Sequence, residues 1–387
     1  MDFWNTKKGI PQGHHRKVMV IPNITNSSNL EADSFIDVIE NHISNLGDDF
    51  FWFIPLPERV KRLEKFDNVE QIMINMSGNM FHMRVSFPTD IIKLLQKSSM
   101  DPTNKGNAKL HRDYDVVYSH LPDWSVRRFV PTKKKIIGYC HWWEMPICNG
   151  VSNMNNYLNL EAEIIGTLQM DRLYVNTVTQ KNAVIEAAKL SFNHQKINDL
   201  ERIIQPFYLS LPKEELVDKV NDNYEKTIVF NHRCKEYKGF PQFMKLMFEY
   251  RKTRQDFNLW ITMGDKYGIK YDEPWISTEY LTKRDYFDAL PNKAVVVTPY
   301  ETHFGWSIAA TDAMMKGIPV LFEECDNYRE LHETGFFYKN KEELFKALDK
   351  CLDDVEWRNK IATYGLERAE ILANTNQFEE LKDLLLP

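Results

Sequence analysis

Three observations predict two α/β domains with parallel sheets. Short apolar runs of strand length alternate with amphipathic stretches of helical period along the chain. That alternation breaks once, at a charged bridge over 213–225, and then restarts. The 387 residues, 43% of them hydrophobic, are ample for two ordinary cores.

The elements follow in order. After a polar, basic arm (1–16), KVMVIPNIT (17–25) reads as a buried strand. DSFIDVIENHISNL (33–46) reads as a helix, with Asp33 or Ser34 as its cap and Gly47 just past its end. FFWFIPLP (50–57) is the next strand. Strands apolar throughout rather than alternating belong to parallel sheets covered on both faces. The rhythm continues with a strand at 69–76, a helix at 89–97, a polar loop at 98–113 and strands at 114–122 and 134–143. A helix at 155–169, a strand at 171–178 and a helix at 179–191 come next, and RIIQPFYLSLP (202–212) closes a first domain of 17–212. The second domain, 226–387, places strands at 226–233, 257–265, 293–301 and 318–324 around helices at 240–254, 283–292 and 307–317. Its tail is helical from 341 onward, and the last helices are expected to pack back on the first domain. Open sheets of this kind bind ligands at the carboxyl ends of their strands, so a cleft between the two sheets is expected.

Bulk chemistry narrows the function. With 49 basic and 55 acidic residues the formal charge is −6, which excludes the global basic field of a DNA-coating protein. The charge is uneven: residues 1–210 carry a net +1, residues 211–387 a net −7, and residues 51–140 a net +6 from 15 basic and 9 acidic groups. Five scattered cysteines show neither zinc-ligand spacing nor a disulfide framework. The N-terminus lacks the apolar core of a signal peptide, and no apolar run approaches the ~20 residues of a membrane span. A cytoplasmic protein is the expectation.

Two segments carry chemistry. In IVFNHRCKEYKGFPQF (228–243) a strand runs into a loop with Arg233 and Lys238, and Gly239 precedes a helix. Two cations before a helix N-terminus suit a diphosphate; the plain alternative is a solvated loop. In TPYETHFGWSIAATDAMMKGIPVLFEE (298–324), Glu301 sits at a strand end and His303-Phe304-Gly305-Trp306 enters a helix. A glycine there lets phosphate approach backbone N–H groups, and a carboxylate at a strand tip accepts hydrogen bonds from sugar hydroxyls. Asp312 would take a ribose diol, or is merely a helix-surface acid.

Arg233 and Lys238, followed by Glu301, Phe304-Gly305, Asp312-Ala313-Met314, Gly317 and Pro319, resemble the retaining glycosyltransferases of family 4, which have the GT-B fold of two Rossmann-like domains facing across a cleft. The NHR and YKG pieces are similar to the branch that includes the tRNA-queuosine mannosyltransferases. Two features depart from the family: the second acid is Asp312 rather than Glu, and it follows Glu301 by eleven residues where the family has eight. The resemblance implies that Arg233 and Lys238 neutralise the leaving diphosphate, Glu301 holds the donor sugar, and the Phe304–Trp306 backbone cradles phosphate. It further implies a UDP-sugar donor and no required metal, with Gly264 near the nucleotide base. His141, at a strand end in IIGYCHWWEMP (136–146), stands where family members have a histidine near the donor sugar. Asp113-Tyr114-Asp115, the only D-x-D string, lies at a strand start and reads as structural.

The resemblance assigns the acceptor to the first domain. Arg59, Lys61, Arg62 and Lys65 cluster there, Arg127 and Arg128 follow Trp124, and Lys133–Lys135 precede the His141 strand. Basic groups interleaved with aromatics suit a nucleic acid, though charge runs are usually solvated faces. A composition rich in Lys, Asn, Ile and Phe resembles that of phage or AT-rich bacterial genes. The expectation is transfer to a hydroxyl on a modified pyrimidine in DNA, the base leaving its stack. Asn23, Trp142, Trp143 and Glu144 complete the candidate acceptor contacts. Glycan, lipid or tRNA acceptors, and a non-catalytic nucleotide-sugar or nucleic-acid binder, are the alternatives.

Overall fold

A computed structural model describes residues 16–24, 30–73, 114–122, 126–130, 133–140, 143, 147–148, 151–152, 154–299, 306–333, 335–375 and 377–386. Residues 1–15 of the arm, the expected helix at 89–97 and the loop at 98–113 lie outside them, while Arg16, placed in the arm, opens the first strand. The chain forms two compact units: Met1–Ile147, Ser152–Tyr208 and Asn376–Pro387 make one, Cys148–Val151 and Leu209–Thr375 the other.

The apolar runs of the first unit form a seven-stranded sheet, built from β1 (Arg16–Ile21), β2 (Phe50–Leu56), β3 (Val69–Met73), β4 (Val116–Ser119), β5 (Lys135–Cys140), β8 (Arg172–Val175) and β9 (Ile204–Pro206). Short β6 (Ile147–Cys148) and β7 (Val151–Ser152) pair separately. The order is β3-β2-β1-β4-β5-β8-β9, parallel throughout, with Val18 beside Trp52 on one side and Val116 on the other. Every residue of β2 is buried, which is why that strand shows no polar alternation.

Around it run α1 (Ser34–Leu46), α2 (Val126–Phe129), α3 (Met154–Thr167), α4 (Val178–Ala188) and α5 (His194–Ile203). Asp33 caps α1 by accepting the Phe35 N–H, and Gly47, at φ 71°, returns its N–H to Ile43. The sequence reading missed α5 because its surface is polar. Only Ile197, Leu200 and Ile203 are buried, three residues apart, and Asn193 caps the helix.

The second unit has a six-stranded parallel sheet: β10 (Glu225–Phe230), β11 (Asn258–Ile261), β12 (Ile276–Ser277), β13 (Lys293–Thr298), β14 (Val320–Glu323) and β15 (Phe336–Tyr338), in the order β12-β11-β10-β13-β14-β15. Its helices are α6 (Phe240–Thr253), α7 (Lys283–Ala289), α8 (Ile308–Met315), α9 (Asp326–Leu331), α10 (Lys341–Asp353) and α11 (Val355–Asn374). α8 ends at Gly317, φ 65°, where the Ile318 N–H reaches back to Ala313.

The final helix, α12 (Phe378–Leu385), belongs to the first unit. Phe378 packs edge-on to Phe207 and His42, with ring centroids 5.0 and 5.5 Å away. At its other end, Arg16 Nε donates to the Leu385 carbonyl (3.0 Å) and Lys135 Nζ to that of Leu386 (3.2 Å), which places cations at a helix C-terminus. Among the described residues no helix is long and apolar enough to cross a membrane.

Candidate functional site

Strand order locates the site in the second unit. From β10 the chain adds β11 and β12 to one side of the sheet, then β13, β14 and β15 to the other. Order therefore reverses between β10 and β13, and in open α/β sheets the ligand crevice lies outside the carboxyl ends at that reversal. The segments that follow these two strands, 231–239 and 299–307, carry the sequence motifs; of the second, residues 299 and 306–307 are described.

In the first loop Arg233 is half-buried, and Lys238 ends a 3-10 turn, Glu236–Lys238, directly before α6. Gly239 takes φ 68°, a left-handed conformation that turns the chain into the helix without the strain a side chain would bring. Both cations interact within the chain. In the second loop, Trp306 is buried and Ser307 caps α8 by accepting the Ala310 N–H at 3.3 Å. Asp312 is also buried, which removes its reading as a helix-surface acid.

Asn231 and Tyr286 join these loops, and the sequence reading did not single them out. Asn231 Nδ2 donates to the Tyr286 hydroxyl at 2.8 Å and to the Ala309 carbonyl, in the first turn of α8, at 2.7 Å. Burial, with the charge of Asp312 adding to it, keeps the Tyr286 phenol protonated far above its ordinary range. Next in the chain, His232 Nε2 lies 3.5 Å from Thr298 Oγ1 and so bridges the ends of β10 and β13.

Gly264, expected near the nucleotide base, has a packing explanation. A Cβ there would come within 2.7 Å of Thr278 Cβ, and the two strands of chain are tied by Asp265 N–H to the Thr278 carbonyl at 2.9 Å.

The first unit reverses its strand order between β1 and β4. Asn23, just past β1, is 2% exposed, and among the described residues neither polar atom of its carboxamide has a hydrogen-bond partner. Trp143 is buried, and its indole N–H likewise has no partner among the described residues.

The basic groups of this unit behave otherwise than expected. Arg127 donates to the carbonyls of Gln169 (3.1 Å) and Lys134 (2.8 Å) and meets the Asp171 carboxylate at 3.4 Å. Lys134 and Asp171 immediately precede β5 and β8, so Arg127 pins the amino ends of the strands, opposite the ligand end. Its contacts here are structural. Lys134 Nζ donates to the Tyr114 carbonyl and lies 4.3 Å over the Tyr114 ring, while Lys135 holds α12.

Farther along, Arg62 pairs with Asp37 and Glu40, and Lys65 with Glu40. Burial pulls the Arg62 guanidinium down, but those two carboxylates outweigh it and raise its pKa. Asp115 accepts the Lys17 N–H at 2.9 Å, joining β1 to the start of β4. Arg128 lies in α2. His141, Glu301, Phe304, Gly305, Trp124, Trp142 and Glu144 fall outside the described residues.

No known family's sequence pattern matches the chain, and no curated protein does. Solved structures do. A sucrose-phosphate synthase from Thermosynechococcus elongatus is similar over 96% of this chain and 98% of its own, at 11% identity and a TM-score of 0.68. HepE from Anabaena, solved with UDP and glucose, is similar over 95% and 98%, at 12% identity and 0.65. The fold is GT-B. The trehalose-6-phosphate synthase OtsA shares it over 96% of this chain and 99% of that one, at 14% identity and a TM-score of 0.64. At these identities the GT-B likeness establishes architecture; the chemistry rests on the residues.

Proposed function

We propose that this protein is a retaining glycosyltransferase that moves a sugar from a nucleoside diphosphate, UDP foremost, to an acceptor hydroxyl. The observation that carries this reading is the placement of Arg233 and Lys238 at the strand reversal of the second unit, beside the N-terminus of α6. As the bond from the anomeric carbon to the diphosphate oxygen breaks, negative charge develops on that oxygen. Fixed cations aimed there lower the barrier more than they stabilise the ground state. The acceptor oxygen bonds to the anomeric carbon on the same face, and its proton passes to the departing phosphate oxygen. Asp312 takes the ribose diol, and Glu301 and His141 serve the transferred sugar, as the family resemblance implies. Two side-chain cations serve the diphosphate, so the proposal includes no metal. UDP is preferred because HepE, of like fold, was solved with it. Retention is supported by a trehalose-6-phosphate synthase of like fold, studied for transfer with retention.

For the acceptor, a hydroxyl on a modified pyrimidine in DNA remains the reading to test, with cytoplasmic action. Its support has narrowed, because Arg127, Lys134 and Lys135 stand at the amino ends of the strands, opposite the ligand end. That placement favours a second reading, a neutral polyhydroxyl glycan. Radiolabelled UDP-sugars offered with hydroxymethylcytosine DNA, unmodified DNA, tRNA, lipid and polysaccharide decide between them. Label in hydroxymethylcytosine DNA alone supports the first reading, and label in polysaccharide alone overturns it. Transfer that survives Arg233→Ala, Lys238→Ala and Glu301→Gln unchanged overturns the donor site.

A further inference from the structure

We infer that Asn231 reads the donor: its side-chain oxygen accepts a hydrogen bond from a hydroxyl of the nucleotide sugar. The inference rests on the proposed function and adds a specificity residue to that site.

Chemistry fixes how the carboxamide is turned. The Ala309 carbonyl, 2.7 Å away, can only accept, so the atom facing it is Nδ2. The second Nδ2 proton goes to the Tyr286 hydroxyl at 2.8 Å. Both donors are thus committed, and Oδ1 is left on the far side of the group. Asn231 is 7% exposed, and among the described residues Oδ1 has no hydrogen-bond partner. Buried carbonyl oxygens without a donor are rare, and each calls for an explanation.

Position supplies one. Asn231 directly follows β10, at the strand reversal, two residues before Arg233. Through Ala309 it is one helical turn from Asp312, and through Tyr286 it is joined to the field of that same carboxylate. A site of acceptors selects a donor. The diphosphate of a nucleotide sugar offers only acceptor oxygens at neutral pH, whereas its ribose and its transferred sugar offer hydroxyls. Oδ1 is therefore matched to the polyol part of the ligand, leaving the phosphates to Arg233 and Lys238. Holding the amide by two bonds, to Tyr286 of α7 and Ala309 of α8, orients that acceptor before the ligand arrives.

Calorimetric titration of the full chain tests this. The probes are UDP, its 2′-deoxy and 3′-deoxy forms, UDP-glucose, and UDP-glucose analogues lacking one sugar hydroxyl each. In the wild type, deleting the hydroxyl that meets Oδ1 weakens binding about tenfold. In Asn231→Ala the same analogue binds as well as its parent, because the partner is gone. The ribose and sugar arms show which hydroxyl it is. Asn231→Leu, of similar volume, replaces the alanine variant if that one does not fold. Two results overturn the inference: the wild-type discrimination persisting in the variant, or no single deletion weakening the wild type by about threefold. If either occurs while UDP still binds, only Asn231 is reassigned. If the wild type binds no nucleoside diphosphate at all, the proposed function falls as well.

Discussion

Each unit has its own strand-order reversal, but the two reversal points are equipped differently. The described residues of the first unit's reversal loops, 22–24 and 120–122, hold no lysine or arginine; they hold the buried Asn23 and His120. The 231–239 loop of the second unit holds Arg233, Lys235 and Lys238. At the opposite, amino ends of the strands the units agree. There Arg127 and Lys135 in the first, and Lys226, Arg254, Lys293 and Arg358 in the second, are engaged by carboxylates or backbone carbonyls of their own unit. The cations at the amino ends hold their own unit together, while Arg233 and Lys238 stand at the carboxyl ends, where the donor is proposed to bind. Of the net +6 of residues 51–140, Arg127, Lys134 and Lys135 stand at or just before those amino ends.

The sharpest way to break this contrast is at the carboxyl end. Arg233→Ala or Lys238→Ala each lowers the transfer rate about 10²- to 10³-fold, the usual loss on removing one group that stabilises charge in a transition state. The melting temperature stays within a few degrees of the wild type. Equal rates in the variants, measured with labelled UDP-sugar, erase the distinction between the two ends.

Arg358 tests the amino end. It is fully buried and donates to the carbonyls of Ala294 (3.0 Å), Asn221 (3.0 Å) and Lys293 (2.9 Å), with its guanidinium 4.0 Å over the Tyr224 ring. Arg358→Met leaves those carbonyls without a donor and costs about 3 kcal/mol in urea unfolding, while the folded fraction transfers sugar at the wild-type rate.

Much of this architecture is legible in the sequence, for a physical reason. Strands such as Phe50–Leu56 are buried along their whole length and so stand out as unbroken apolar runs. β12 and β15, of two and three residues, are too short to show a period, and α5 hides its three buried residues in a polar helix. Arg233 and Lys238 stand out in the sequence by their order and spacing before Gly239, and Asp312 by its order alone. Asn231 does not, because its partners Tyr286 and Ala309 lie 55 and 78 residues away. The pairing of Arg62 is hidden likewise, since Asp37 and Glu40 come from another element.

A proton separates the units further. His332 is buried against Phe322, and burial, helped by Arg368, lowers its pKa to about 4. In the unfolded chain it titrates near its ordinary value of about 6.5. Between about pH 6.5 and 4, therefore, the unfolded state binds a proton that the folded state refuses, and stability falls as pH falls through that window, by about 3 kcal/mol when complete. Denaturant titrations across this range show the loss in the wild type, and His332→Leu lacks that component. An identical pH slope in both proteins removes His332 as its source.

The smallest expected effect is the most discriminating for the acceptor. Arg127→Ala removes two hydrogen bonds to carbonyls at the start of β5 and at Gln169, along with a partly exposed ion pair to Asp171. Loss of this pin costs about 1–2 kcal/mol, most of it from the unmatched carbonyls and little from the exposed pair. Because the guanidinium stands at the amino ends of the strands, affinity for any nucleic acid, measured by its dependence on salt, stays as in the wild type. A phosphate contact would behave differently: its removal weakens binding to every sequence and lowers the salt slope by about one. A lowered slope with unchanged stability would therefore return Arg127 to the acceptor surface.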